Sequence, residues 1–341
     1  MRRLTTILAA TAALVTLHAA TIAPALACAG LIGSNGAVNL GRTTTLAAYH
    51  EGVEHYVTAF QFGGGGGQFG TLSPLPGIPS SVERGGAWTL QRLARETAPP
   101  RALREALSAT AGEDSAQVIL QTRVDALDLT VLKGGAREVA VWATDHGFRL
   151  SPDAPEILDF YARRSPIFLA AVFDADAAAE RGQRIGDGTP VHITIPTTNP
   201  WVPLRILALG KQPGDRVEAD VFLLTDQQPA FLPDAGPGLT LAHNAPARVQ
   251  LLDDLRADDG MQWVPPSAWL TKLSVDSSAA DLAYDLAVDA SGQGTPSRRA
   301  AGLDPVQARL QLEGFGGQSG LALVLLGLPL ALALRRLMLS R

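Results

Sequence analysis

The chain is poor in the residues that staple or specialise a small domain. Cys28 is its only cysteine, so no disulfide can close within it and the core must hold by packing. It has no excess of positive charge either: 28 Lys and Arg stand against 33 Asp and Glu, for a net charge of −5. That balance, with no basic cluster, excludes nucleic acid as a partner, because phosphate contacts need Lys and Arg. No Gly-Lys-Ser/Thr follows the five glycines Gly63 to Gly67, so this run reads as a flexible loop rather than a phosphate cradle. No Gly-x-Ser-x-Gly elbow occurs, and neither acidic group described below matches the twelve-residue calcium loop.

Long apolar runs are confined to the two ends. Residues 1–27 read as a secretory signal: Arg2 and Arg3 open it, a long apolar stretch follows from Leu4, and Ala25-Leu26-Ala27 offers a small-residue cleavage site. Cys28 would then lead the mature chain. The residues before it favour plain cleavage over lipidation, and a second anchor adds little to a spanning helix. Gly320 to Leu334 is uncharged, but as a helix it rises only about 22 Å against a hydrocarbon core of about 30 Å. A transmembrane helix over 315–339 is therefore expected, with Pro329 tolerated in the bilayer and Arg335, Arg336 and Arg341 marking the cytoplasmic side. The bulk of the chain would lie outside the cell membrane as a single-pass protein ending inside at 340–341. Arg2, Arg3, Arg335, Arg336 and Arg341 are the only charges in the two end segments, so the external part falls from −5 to −10.

Between the ends, a hydrophobic fraction of 46% suffices for one large domain or two small ones. Thr43–Tyr49 and His55–Phe62 read as a hairpin turning at Glu51-Gly52. Trp88–Glu96 carries Leu90, Leu93 and Ala94 at helical spacing, and Pro99-Pro100 opens a second helix through Leu103 and Leu107. Strands are expected at Val118–Leu120, at Leu127–Leu132, around Val139 and Val141, and at Phe168–Phe173, with a helix over Asp153–Tyr161. From Thr189 the pattern turns steadily to strands: through Ile195, at Leu204–Leu209, at Val217–Leu224, at Trp269–Val275 and at Leu282–Val288. Short turns between them imply antiparallel neighbours. Residues 290–314 have the polar composition of a linker. The fold class expected is α+β, mainly antiparallel sheet with a few short helices, in an extracytoplasmic domain over 28–289.

Several stretches recur in a recognisable order: Cys28-Ala29-Gly30, Glu51-Gly52-Val53-Glu54-His55, Leu72-Ser73-Pro74-Leu75-Pro76, Glu96-Thr97-Ala98-Pro99, Gly147-Phe148, Phe168-Leu169-Ala170, Trp201-Val202-Pro203-Leu204-Arg205 and Thr271-Lys272-Leu273. In these the chain resembles the bacterial secreted family known as domain of unknown function 2330. The resemblance implies an exported, often membrane-tethered domain and supplies no activity or catalytic residue.

Candidate chemistry is sparse. His50 and His55 flank the hairpin tip and, with Glu51 or Glu54, form a potential metal or acid/base group, although two ligands without a third are not a site. Asp145-His146 has the look of a base held by an acid but lacks a nucleophile. Asp174, Asp176 and Asp187, or Asp253, Asp254, Asp258 and Asp259, have oxygen ligands for calcium but read better as solvated loops. Trp201, Trp263 and Trp269 read as packing residues rather than a sugar platform. The expectation is a non-catalytic binding or scaffolding module of the cell envelope, without cofactor or metal, whose partner is an envelope protein or ligand. The alternative is an extracytoplasmic hydrolase or metal-dependent enzyme using His50, His55, His146 and nearby acids.

Overall fold

The computed structural model describes residues 29–33, 42–60, 69–98, 118–125, 127–173 and 189–304. In chain order the elements are β1 (Gly30–Gly33), β2 (Thr43–His50), β3 (Val53–Phe60), β4 (Phe69–Pro74), β5 (Ser81–Arg84), α1 (Thr89–Glu96), β6 (Val118–Val124), β7 (Leu127–Lys133), α2 (Ala136–Asp145) and α3 (Ala154–Ala162). There follow β8 (Ile167–Phe173), β9 (Thr189–Pro196), β10 (Trp201–Val202), a 3-10 turn (Arg205–Ala208), β11 (Arg216–Thr225), β12 (Ala230–Leu232), β13 (Leu239–Pro246), α4 (Val249–Ala257), β14 (Trp269–Ser278) and β15 (Leu286–Asp289).

Among the described residues three sheets form. Seven strands line up as β13-β14-β11-β2-β3-β9-β5, five as β1-β4-β8-β7-β6, and three as β10-β15-β12. Side-chain alternation makes each large sheet two-faced. Tyr56, Val191, Ile193, Val221 and Leu273 of the seven-stranded sheet meet Leu127, Leu129, Val131, Leu169 and Ala171 of the five-stranded one. The opposite face of the five-stranded sheet, through Phe168, Ala170 and Val172, takes Val139 and Trp142 of α2 and Ile157, Leu158 and Tyr161 of α3. The opposite face of the seven-stranded sheet, through Leu46, Val57 and Phe222, takes Leu90 and Leu93 of α1 and Leu251, Leu252 and Leu255 of α4. The layers therefore run helix, sheet, sheet, helix, an α+β arrangement in which each large sheet carries buried apolar residues on both faces.

The first hairpin forms where the sequence places it, with His50 opposite Val53. Its two-residue turn has positive φ at Glu51 (49°) and Gly52 (82°), the geometry whose twist matches the flanking strands. Not every neighbour is antiparallel: β2 runs parallel to β11, with Thr45 opposite Val221. A parallel pair needs a long crossover, and the chain between these two strands supplies one.

Several expectations change. Val139 and Val141 lie in helix α2, not a strand: Val139, Trp142 and Ala143 are buried at helical spacing while Val141 is exposed. The Gly135 N–H that opens this helix donates to Glu138 Oε2 at 2.7 Å. Leu204–Leu209 forms a 3-10 turn, because side chains rather than a strand take its N–H groups: Asp285 accepts from Leu204 and Arg205, and the Tyr161 hydroxyl accepts from Ile206. Strand β15 covers only the last part of Leu282–Val288. The stretch holding Asp253, Asp254, Asp258 and Asp259, expected as a solvated loop, carries helix α4, whose Leu251, Leu252 and Leu255 are fully buried, and β12 and β13 precede it. Residues 290–303 also pack onto the domain. Ala301 is buried and its carbonyl accepts from Asp285 N at 3.0 Å. Gly302, at φ 69°, lies so close against the Phe160 ring that a Cβ would collide with it.

The second helix expected after Pro99-Pro100, the five-glycine loop and the segment 315–339 lie outside the described residues. Among the described residues no helix is long and apolar enough to cross a membrane.

Candidate functional site

The turn of the first hairpin, the loop after β9, the end of α3 and the segment before Gly302 converge on a cleft of about 770 Å³. Gly52 and Pro76 contribute to one side, Thr197, Thr198, Asn199 and Trp201 to another, and Arg164, Ser297 and Arg299 to the rest. The loop is tied down locally: Asn199 N donates to Thr197 Oγ1 at 3.2 Å, and Asn199 Nδ2 donates to Thr198 Oγ1 at 2.9 Å. From behind, the Tyr49 hydroxyl donates to the Thr197 carbonyl at 3.0 Å.

Arg164 is held almost rigidly. Its guanidinium carbon lies 4.0 Å from the Phe160 ring centre, 4.9 Å from Trp201 and 5.0 Å from Tyr161, so three aromatic faces surround the cation. It donates to the Phe160 and Ala300 carbonyls and to Asp285 Oδ2. Asp285 is fully buried and answers with its other oxygen, which accepts from the Tyr161 hydroxyl at 2.8 Å, Leu204 N at 2.8 Å and Arg205 N at 3.0 Å. Burial, and then the Asp285 charge, push the Tyr161 phenol well above its usual range.

A second buried carboxyl stands behind the cleft. Glu54 is fully buried, its Oε2 accepts from Trp201 N at a long 3.3 Å, and among the described residues its Oε1 has no partner. Burial pushes it up to about 8, the Trp201 N–H pulling weakly the other way. At neutral pH this group is mainly a neutral acid.

On the opposite face of the same strand lies a stack that sequence reasoning only half found. His55 Nδ1 and His192 Nε2 are 2.9 Å apart, one donating and the other accepting. The Trp263 indole covers both, 4.0 Å from the His55 ring and 5.0 Å from the His192 ring. Burial pushes both imidazoles down to about 4, with the His50 charge adding to the effect at His55 and the His55 charge at His192. His192 alternates with Val191 and Ile193, so its strand position was legible; its pairing with His55 depended on β9 lying beside β3, which the sequence does not reveal.

The remaining candidates disperse. His50 shares the outer face with His55 but bonds Asp226 at 2.6 Å. His146 lies on the far side of both sheets, where it donates to the Trp142 carbonyl at 2.8 Å and stacks on that indole. His50, His55 and His146 therefore do not converge. Asp253 pairs with Arg256 and Asp254 with Arg92 along α4, so these are helix-surface ion pairs. Asp258 is no solvated loop residue: it is buried and accepts from Ala87 N, Trp88 N and Thr89 Oγ1, closing the start of α1 from a distant part of the chain. Among the described residues no three His, Cys, Asp or Glu side chains gather to hold a metal. Cys28, Asp174, Asp176 and Asp187 lie outside the described residues. Trp201 and Trp263 are packing residues, and Trp269 donates from its indole to Asn244 Oδ1 at 2.6 Å.

Residues 22–228 match the family described as an uncharacterized protein conserved in bacteria, domain of unknown function 2330. No curated protein matches the chain. Among solved structures, a mutated baculovirus P35 after caspase cleavage is 10% identical, over 73% of this chain and 99% of that one, with a TM-score of 0.41. The caspase-8/P35 complex gives 9% identity over 74% and 96%, with a TM-score of 0.39. Baculovirus P35 alone gives 8% identity over 74% and 98%, with a TM-score of 0.38. Likenesses with TM-scores below 0.5 transfer neither fold nor activity.

Proposed function

The chain belongs to the bacterial family of domain of unknown function 2330, and from that premise we propose that it is a membrane-anchored extracytoplasmic module that holds a ligand in the Thr198–Trp201–Arg299 cleft without transforming it. The observation that carries this reading is the convergence of five separated chain segments on one polar cleft whose Thr197 and Arg164 are fixed from behind by Tyr49 and Asp285. Pre-ordered walls of this kind reduce the cost of ordering on binding. Export through residues 1–27 and anchoring through 315–339, with the C-terminus inside, complete the reading and place the cleft outside the cell membrane.

One observation favours a second reading. A carboxyl pushed up to about 8 beside a cleft is the property expected of a general acid, which makes Glu54, rather than His50, His55 and His146, the starting point for an extracytoplasmic hydrolase. Native mass spectrometry separates the two. The full chain in neutral detergent is incubated with a small-molecule extract of bacterial envelope, beside an Asn199→Ala, Ser297→Ala variant. A bound species of unchanged mass, lost in the variant, supports the module. Turnover that stops in Glu54→Gln supports the enzyme, and identical spectra from both proteins remove the cleft as the site.

A further inference from the structure

We infer that the cleft takes a phosphate-bearing anion, with Arg299 as the residue that recognises its charge; this rests on the cleft being a binding site. The chain as a whole is acidic, yet among the described residues the cleft is lined by two arginines and no carboxylate. The charge of Arg164 is answered by Asp285. That of Arg299 is not. Its Nη2 donates to the Arg163 carbonyl at 3.2 Å, and among the described residues no carboxylate lies within ion-pair distance of it. The neighbouring Arg163 and Arg298 likewise have no carboxylate partner among the described residues, so the positive potential at this edge is not cancelled locally.

The other polar groups suit the same ligand. The Thr198 hydroxyl and Asn199 amide stand on the wall across from Arg299 and the Ser297 hydroxyl beside it, so neutral polar groups accompany the guanidinium from two chain segments. A phosphate group offers acceptor oxygens on several sides and matches a planar guanidinium fork, whereas a flat carboxylate would satisfy the fork alone. Of the two carboxyls behind the wall, Asp285 is paired with Arg164, and Glu54 bonds Trp201 N and is held mainly neutral, so it does not repel an anion. A phospholipid headgroup and a soluble phosphate ester carry the same chemistry.

The test uses the full chain in two settings. In neutral detergent, glycerol 1-phosphate is titrated by calorimetry beside glycerol and a neutral disaccharide. In vesicles, thermal unfolding is followed in pure phosphatidylcholine and in phosphatidylcholine with phosphatidylglycerol. Saturable heat from glycerol 1-phosphate identifies a soluble ester as ligand, and stabilisation by phosphatidylglycerol alone identifies the headgroup. Either effect should weaken about ten-fold or more in Arg299→Ala, be partly restored in Arg299→Lys, and fall with added salt. Neither effect in the wild type, or equal effects in wild type and Arg299→Ala, overturns the inference. Binding of the disaccharide that is lost in Asn199→Ala, with no response to phosphate, overturns the anion and leaves the binding-module reading standing.

Discussion

Asp285 and Glu54 are both fully buried carboxyls at the back of one cleft, and they are held in opposite ways. Asp285 has four donors, one of them the Arg164 guanidinium, and serves as the joint between α3, the 3-10 turn and β15. Glu54 has one long contact and an oxygen with no partner among the described residues, and is mainly neutral at pH 7. Burial alone does not decide what a carboxyl becomes; the donors assembled around it do. The satisfied group joins three elements, and the unsatisfied one, pushed up by burial, keeps its proton at neutral pH. The largest predicted effect breaks the satisfied side. Asp285→Ala leaves the Arg164 charge without its carboxylate and the Tyr161 hydroxyl and two backbone N–H groups without their acceptor, and should cost about 3–5 kcal/mol of unfolding free energy in urea. A loss below about 1 kcal/mol would show that the network is not the joint described.

The next effect comes from the other member of the pair and has the opposite sign. Glu54 is raised in the folded state from an ordinary carboxyl value to about 8. Below about pH 4.5 it is protonated folded or unfolded and costs nothing; as pH rises toward 8 only the unfolded chain releases the proton, so stability falls. Glu54→Gln keeps the shape and removes the titration. It should therefore gain about 2–4 kcal/mol at pH 9 and nothing at pH 4, as read from urea midpoints at the two pH values. A gain of equal size at both would mean that packing, not protonation, separates Glu from Gln there.

The residue next to Glu54 sharpens the contrast, because His55 faces the other side of the sheet and titrates the other way. His55 and His192 are lowered to about 4 in the folded state. Their stabilising contribution is complete above about pH 6.5 and is lost progressively as pH falls from there to the folded value of about 4, the range in which the unfolded chain binds protons that the stack refuses. Between pH 6.5 and 5 the loss should be about 1–3 kcal/mol, roughly halved in His192→Gln. Glu54 weakens the fold as pH rises and the histidines weaken it as pH falls, so the wild type should be most stable near pH 6.5. In Glu54→Gln the fall above that pH should flatten.

The fold class and the first hairpin were legible because strand alternation is a local signal, as in Val191, Ile193 and Ile195, all buried on one face of β9. Helix α2 was misread because Val139 and Val141 mimic a strand over three residues, while the buried set Val139, Trp142 and Ala143 shows its period only over a full turn. The 3-10 turn at Arg205–Ala208 was beyond local reading, since Asp285, which takes two of its N–H groups, is some eighty residues away along the chain. The same holds for the site. His50 and His55 drew attention by their spacing, yet the groups that line the cleft, Arg164, Asn199, Trp201 and Arg299, meet only through long-range topology. No spacing in the sequence marks them.

The smallest predicted effect concerns the histidine that the sequence made most conspicuous. His50 lies on the outer face with His55, and its Nδ1 is 2.6 Å from Asp226 Oδ1, but its side chain is 36% exposed and that of Asp226 43%. Solvent and salt screen a pair so placed, and removing it leaves no buried group without a partner. His50→Ala should change unfolding free energy by no more than about 0.5 kcal/mol. His55→Ala should cost more, because His192 is only 4% exposed and would lose its 2.9 Å hydrogen bond and one of the two rings stacked on it, keeping only Trp263. Measured side by side at pH 7, a His50→Ala loss as large as that of His55→Ala would mean that the two histidines act as one unit after all. The metal or acid/base group suggested by their spacing would then return ahead of the cleft.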